Sequence, residues 1–195
     1  MRVTVTPEQI RSAFEAVMDD PSFDESRGLV ERGHLPVEML RAMALRPEIL
    51  RAFGGFGGAV YPGGLVERRI KELVIIAASR ANECQFCFNA HVDIVDIEGI
   101  VDDPLPLLDD PSKLPPRERV AVEYTQAAMR DSNAIPERIA RELHEQFTDE
   151  ELVEVTFLIG YITMLNTFNN LLEVRYHGDY RALREPAAAS PGAAG

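Results

Sequence analysis

The chain has 195 residues, 46% of them hydrophobic and 27% charged, which excludes a disordered chain, a collagen and a small disulfide scaffold. With 32 Asp and Glu against 20 Lys and Arg, the net charge of -12 gives a surface that repels phosphate backbones and anionic headgroups. Neither nucleic acid nor a membrane surface is an expected partner, and the length fits one domain at roughly 100 to 200 residues per domain.

The first residues, Met1 to Phe14, hold no apolar run of signal-peptide length, so the expected location is cytoplasmic. Thr6 and Pro7 predict a helix start, followed by Ile10, Phe14, Val17 and Met18 on one face, with a stop near Asp19-Asp20-Pro21. A polar connection with Gly28 and Gly33 leads to a second helix, whose face is Val37, Leu40, Met43 and Ala44. Pro47 opens a short turn through Phe53 that ends in glycine. Six glycines fall between Gly54 and Gly64, but no Lys-Ser/Thr pair or preceding strand supports a phosphate loop. The run reads as a mobile connector or as close backbone packing.

From Leu65 to Arg80 the apolar residues describe a helix buried nearly all round. The next helix is expected from about Cys84 to Gly99, and the Pro- and Asp-rich segment 101–116 is the main linker. Further helices are predicted over 116–129, 136–147 and 148–174, the last opened by the capping box of Thr148 and Glu151. Val155 to Leu165 is about half the ~20 residues that span a bilayer and reads as core. The fold class is all-α, a single domain over 1–186 with a motif core at about 65–99 and a second helical half at about 116–174. The Ala- and Gly-rich tail 187–195 is expected to be disordered.

The chemistry concentrates at the two cysteines. Cys84 and Cys87 stand three apart at a helix start, close enough to pair as a disulfide, and His91 follows Cys87 by one turn on the same face. A helix N-terminus and a nearby imidazole both favour the thiolate, so a reactive dithiol is the natural inference. Glu72 lies on the buried helix upstream, where an isolated carboxylate needs a partner. His91, or a water held by a cysteine, would serve. Two other readings are open: a plain pair of core cysteines, or a zinc site completed by Glu72 or Glu83. No cofactor or metal is called for by the dithiol reading.

The stretch Val66 to Ile75, the turn Cys84-Gln85-Phe86-Cys87 and His91 resemble the core motif of the carboxymuconolactone decarboxylase and alkylhydroperoxidase D (AhpD-like) superfamily. Leu114 to Arg119 and Asp149 to Glu154 are similar to it too, and the resemblance covers roughly residues 36 to 174. It implies an AhpD-like helical bundle, a homo-oligomer, and peroxide reduction carried by Glu72, Cys84, Cys87 and His91. A hydroperoxide substrate and a dithiol reductant of unknown identity are then the implied partners. Phe86 stands where the best-known alkylhydroperoxidases carry a further relay histidine. On this reading Cys87 is attacked by peroxide and Cys84 resolves the sulfenic acid, although the helix dipole favours Cys84 as the thiolate. The alternative is a dithiol redox adaptor or sensor that turns over no peroxide.

A shift of 82 residues places Glu154 on Glu72, Asn166 on Cys84 and Asn169 on Cys87. This is either a degenerate internal repeat or a chance likeness of two apolar helices. As a repeat, its asparagines are expected to serve packing and leave the redox chemistry to the first copy.

Overall fold

The computed structural model describes residues 1–17 and 19–184, so Met18 on the first helical face and the tail 187–195 lie outside the described residues. Every regular element among them is helical. Helix α1 is Pro7–Glu15, opened by a capping box in which Thr6 Oγ1 accepts from the Gln9 amide and Gln9 Oε1 accepts from the Thr6 amide. It closes one turn earlier than Asp19. The polar connection is itself structured: after a 3₁₀ turn at Pro21–Phe23, α2 runs Asp24–Glu31 with Gly28 inside it. Leu29 and Phe23 are fully buried there, which supplies the tertiary packing that outweighs a poor local helix signal.

Helix α3 is Glu38–Met43 and α4 is Pro47–Val60. Gly54, Gly55, Gly57 and Gly58 do not end α4 but lie within it, and Gly63 and Gly64 follow its end. Of the two sequence readings, close packing is the one realised. A Cβ on Gly54 would stand 2.6 Å from the Phe23 ring and one on Gly57 2.9 Å from the Tyr161 hydroxyl. Small residues let α4 approach its neighbours, and that contact offsets their low helix propensity.

Helix α5, Arg68–Ala81, is the axis of the fold, buried continuously from Ile70 to Ser79 and packed against α6 (Gln85–Ile97), α8 (Pro116–Arg130) and α10 (Asp149–Leu172). Burying each of Leu73, Ile75 and Ile76 contributes about 1.5–3 kcal/mol. The linker 101–116 holds the short α7, Leu105–Asp109, and a 3₁₀ turn, while α9 is Glu137–Gln146. Helix α10 begins at the Thr148/Glu151 capping box and runs 24 residues, long and apolar enough by length and composition to cross a membrane. Here its Val155, Leu158, Ile162 and Leu165 are buried in the core, and Asp149, Glu150 and Glu151 occupy its first turn.

Lys71 and Glu72 are adjacent on α5, both at most 1% exposed, and face different partners. Lys71 pairs with Glu154 of α10 at 2.5 Å, and Glu154 also accepts from the amides of Leu65 and Val66. That carboxylate therefore fastens the start of α5 to α10. Glu72 turns to the site described next.

Candidate active site

The cysteines sit where α5 breaks. The Asn82 amide still donates to Ala78, Glu83 takes φ +52°, and the Cys84 amide returns to the Ser79 carbonyl at 2.9 Å. This left-handed turn closes α5 and starts α6 within three residues, leaving Cys84 as the N-cap residue and Cys87 in the first turn. Both are free thiols and buried. The hydrogen bond from Cys87, helped by the amides of Cys87 and Phe86 and the side chain of Asn166, outweighs burial and draws the Cys84 thiol down to about 7. Cys87 moves the other way: its bond to Cys84, its burial and the charge on Cys84 push its thiol well above the ordinary range. The dithiol ionises first at Cys84, as the helix-terminus argument implied.

One turn along α6, His91 Nδ1 lies 2.7 Å from Glu72 Oε2, the partner that the buried carboxylate required. The other oxygen of Glu72 accepts from the Tyr61 hydroxyl at 2.7 Å and from Arg68 Nε at 2.6 Å. Arg68 also donates to the Tyr61 oxygen and stacks over its ring, 4.3 Å from the centroid. Burial would raise the Glu72 carboxyl, but the charge and hydrogen bond of His91, with Arg68 and Tyr61, hold it below the usual carboxylate range. Burial and the Glu72 charge push the Tyr61 hydroxyl far up, so it stays protonated. Since Nδ1 is committed to Glu72, only Nε2 of His91 is free for exchange with a bound molecule.

A cavity of about 80 Å³ connects these groups. Cys87, His91 and Tyr61 line it, with Glu25 and Ser26 at its polar side and Met39, Phe53, Phe86 and Ile162 among its apolar walls. Cys84 and Glu72 do not line it, but each is hydrogen-bonded to a residue that does, Cys84 to Cys87 and Glu72 to His91. Phe86, in the relay-histidine position, packs edge-on against Tyr176 and cannot carry a proton. Segment 176–184 covers this side: Tyr176 and Arg181 both bind Asp93 of α6, and Tyr180 reaches the cavity.

The sequence reading missed Tyr61 and Arg68. Arg68 stands one turn before Glu72 on the same helix, a legible spacing, whereas Tyr61 arrives from the end of α4 and left no local signal. The asparagines are also closer to the chemistry than a packing role requires. Asn169 Nδ2 donates to Cys87 Sγ at 3.2 Å, and Asn166 Nδ2 donates to Ser79 Oγ at 3.1 Å beside Cys84. Among the described residues no three His, Cys, Asp or Glu side chains converge as a metal site, since His91 faces Glu72 and the cysteines face each other.

An all-helical bundle with a dithiol at a helix N-terminus, backed by a carboxylate–histidine pair, defines the class. The model of the carboxymuconolactone decarboxylase family matches residues 47–101, the segment from α4 through α6. The fold is shared with an uncharacterized peroxidase-related protein with an alkylhydroperoxidase AhpD core from Ralstonia eutropha JMP134, at 24% identity over 95% of this chain and 97% of that one, TM-score 0.68. An Agrobacterium tumefaciens protein of unknown function, described as a candidate AhpD antioxidant-defence protein, is 26% identical over 69% of this chain and 94% of that one, TM-score 0.61. The debrominase Bmp8 is 20% identical over 86% and 92%, TM-score 0.64. No curated protein matches. Residues 47–101 thus carry the sequence pattern of the carboxymuconolactone decarboxylase family, and the chain as a whole has the fold of the AhpD-like structures.

Proposed function

We propose that this chain is a thiol peroxidase that reduces hydroperoxides through a dithiol–disulfide cycle of Cys84 and Cys87. The observation that carries the reading is the juxtaposition of two mutually hydrogen-bonded free thiols with a small cavity, whose wall includes a histidine held by a buried carboxylate. Cys87 is the thiol that meets the peroxide, because it lines the cavity and Cys84 does not.

The Cys84 thiolate takes the Cys87 proton, and the Cys87 sulfur attacks the outer peroxide oxygen. An S–O bond forms and the O–O bond breaks. The departing alkoxide takes, by way of His91 Nε2, the proton that the Cys84 thiol had given up, with Glu72 holding the imidazole through Nδ1. Cys84 then attacks the Cys87 sulfenic acid; the S–S bond forms, and the leaving hydroxide departs as water with the Cys84 proton. One hydroperoxide yields one alcohol and one water, and two thiols yield one disulfide. An external dithiol, as the second substrate, restores the pair.

Mixing the reduced protein with one equivalent of an organic hydroperoxide should consume both thiols together and release one equivalent of alcohol, with sustained turnover when dithiothreitol is present. Thiols that survive excess peroxide in folded protein sink the reading. Oxidation that is stoichiometric but never catalytic supports the adaptor role instead. Because one fold relative is named a debrominase, a brominated pyrrole belongs in the same assay: bromide release without peroxide reduction would reassign the dithiol to dehalogenation.

A further inference from the structure

The peroxidase reading leaves the dithiol with a difficulty of charge placement. The amides at the α6 N-terminus and Asn166 gather negative charge on Cys84, yet the sulfur that lines the cavity is Cys87. Cys87 sits inside the first turn of α6, and His91 has turned Nδ1 to Glu72. The side-chain donors that reach the Cys87 sulfur come from another helix, Asn166 shared with Cys84 and Asn169 directed at Cys87. Asn169 of α10, 1% exposed, directs Nδ2 at Cys87 Sγ, 3.2 Å away, and at Met39 Sδ, 3.4 Å away.

Its carbonyl oxygen is the telling atom. Asn169 Oδ1 is buried with no hydrogen-bond partner among the described residues. A buried amide ordinarily satisfies its strong acceptor first, because sulfur is a weak one. Here both amide hydrogens go to sulfur while the oxygen goes without. Turned over, the amide would set its oxygen lone pairs against the Cys87 sulfur and repel a thiolate. The observed orientation is therefore the one that favours negative charge on Cys87, at the expense of Asn169 itself.

We propose that Asn169 is a catalytic residue of the dithiol reaction, its amide NH₂ holding the developing negative charge on the Cys87 sulfur as that sulfur attacks. The proposal rests on the reading of Cys84 and Cys87 as the reacting pair. It gives the second helical half a part in the chemistry: Asn166 attends both sulfurs and Asn169 attends Cys87 alone, so Asn169 is the one that favours charge on the sulfur facing the cavity. As the proton moves from Cys87 to Cys84, the charge passes to the sulfur that Asn169 faces.

The test isolates the thiol. In the Cys84→Ser protein, alkylation of Cys87 by iodoacetamide is followed against pH by peptide mass, and sulfenic acid formation with cumene hydroperoxide is followed by dimedone trapping. Adding Asn169→Ala should raise the alkylation midpoint by about one pH unit and slow oxidation near neutrality by about tenfold. Adding Asn169→Asp, which keeps the shape and opposes the thiolate with a carboxylate, should shift both further. Folded variants with the parent alkylation profile overturn the proposal. In unmutated protein the Asn169 side-chain amide signals should shift across the Cys87 titration and again on disulfide formation; signals that stay fixed refute the role even if neither variant folds. An altered alkylation midpoint in protein that never reacts with peroxide would leave Asn169 its part at the sulfur and remove the hydroperoxide as substrate.

Discussion

Replacing Glu72 by Gln tests the centre of the site with the least change of shape. The carboxylate is 0% exposed and accepts from His91 Nδ1, Tyr61 and Arg68 at 2.6 to 2.7 Å. The amide keeps one oxygen, loses the charge, and presents an NH₂ where a second acceptor stood. A hydrogen bond to a charged group contributes about 1.5–3 kcal/mol, and unpairing a buried charge costs about 3–5 kcal/mol. Arg68 softens that loss, since its side chain is 23% exposed and Glu25 and Glu98 lie 3.8 Å from it. The expected destabilisation near neutral pH is thus about 2–4 kcal/mol, read from urea unfolding. The pH dependence has a definite sign. Because the folded-state pKa of Glu72 is lowered, its stabilisation is complete above the unfolded value of about 4.3 and is lost as pH falls through the folded value. The gap between the two proteins should therefore narrow on acidification below that value. Thiol oxidation should slow by about 10- to 10⁴-fold if Glu72 supports the proton-transferring His91. Equal stabilities at neutral pH, or a gap that widens in acid, would refute the electrostatic account; an unchanged oxidation rate would move proton transfer off His91.

Three further outcomes are expected. Iodoacetamide should modify Cys84 of the reduced protein with a midpoint of about 7, and Cys84→Ser should abolish that low midpoint, both read by peptide mass. Gly64→Ala should destabilise the fold by about 2–4 kcal/mol in denaturant melts, because φ is +105° and the new Cβ would stand 2.3 Å from Glu154 Oε1 and 2.6 Å from Lys71 Nζ; an unchanged midpoint would show the Lys71–Glu154 pair to be unimportant. If the chain self-associates, as its family resemblance implies, the exposed Phe56, Val153, Phe157 and Met164 on α4 and α10 are the apolar face to cover, and Phe157→Asp should reduce the mass seen by light scattering.

What was legible in the sequence followed from local rules. Thr6 marked a helix start through the Pro7 that follows it and Thr148 through its capping box with Glu151, and α5 announced its burial through an unbroken apolar run. Cys84, Cys87 and His91 stood out because helical spacing sets them on one face, and Glu72 because a carboxylate on a buried helix needs a partner; that the four act together was what the family resemblance implied. The remainder depended on contacts between distant segments. Gly54 and Gly57 look like a loop until Phe23 and Tyr161 are seen against them, and Tyr61 joins Glu72 only because α4 ends beside α5. Asn169 was visible as a position 82 residues after Cys87, but its meaning lay in the side-by-side packing of α5 and α10. Lys71 reaches Glu154 and Ser79 reaches Asn166, so the two helices run parallel and the sequence offset is also close to a spatial one.

That parallel packing explains why the thiols occur in the first half and amides in the second. In α5 and α6 the chain turns at Glu83, exposing unpaired amides that favour an anion at Cys84. In α10 the corresponding stretch runs unbroken through Asn166 and Asn169, so its backbone amides are already spent on helix hydrogen bonds. A thiol at Asn166 would have no helix terminus to lower its pKa, whereas an amide there still has side-chain N–H groups to donate outward. Breaking one helix creates the place where a sulfur can ionise; leaving its neighbour intact provides a rigid rail from which Asn166 and Asn169 reach the same two sulfurs. Moving the break, by extending α5 with a helix-forming residue in place of Glu83, should therefore raise the Cys84 thiol by the share that the Cys87 and Phe86 amides add to the Cys87 side-chain hydrogen bond, and an alkylation midpoint that stayed at about 7 would show that the helix terminus contributes nothing to it.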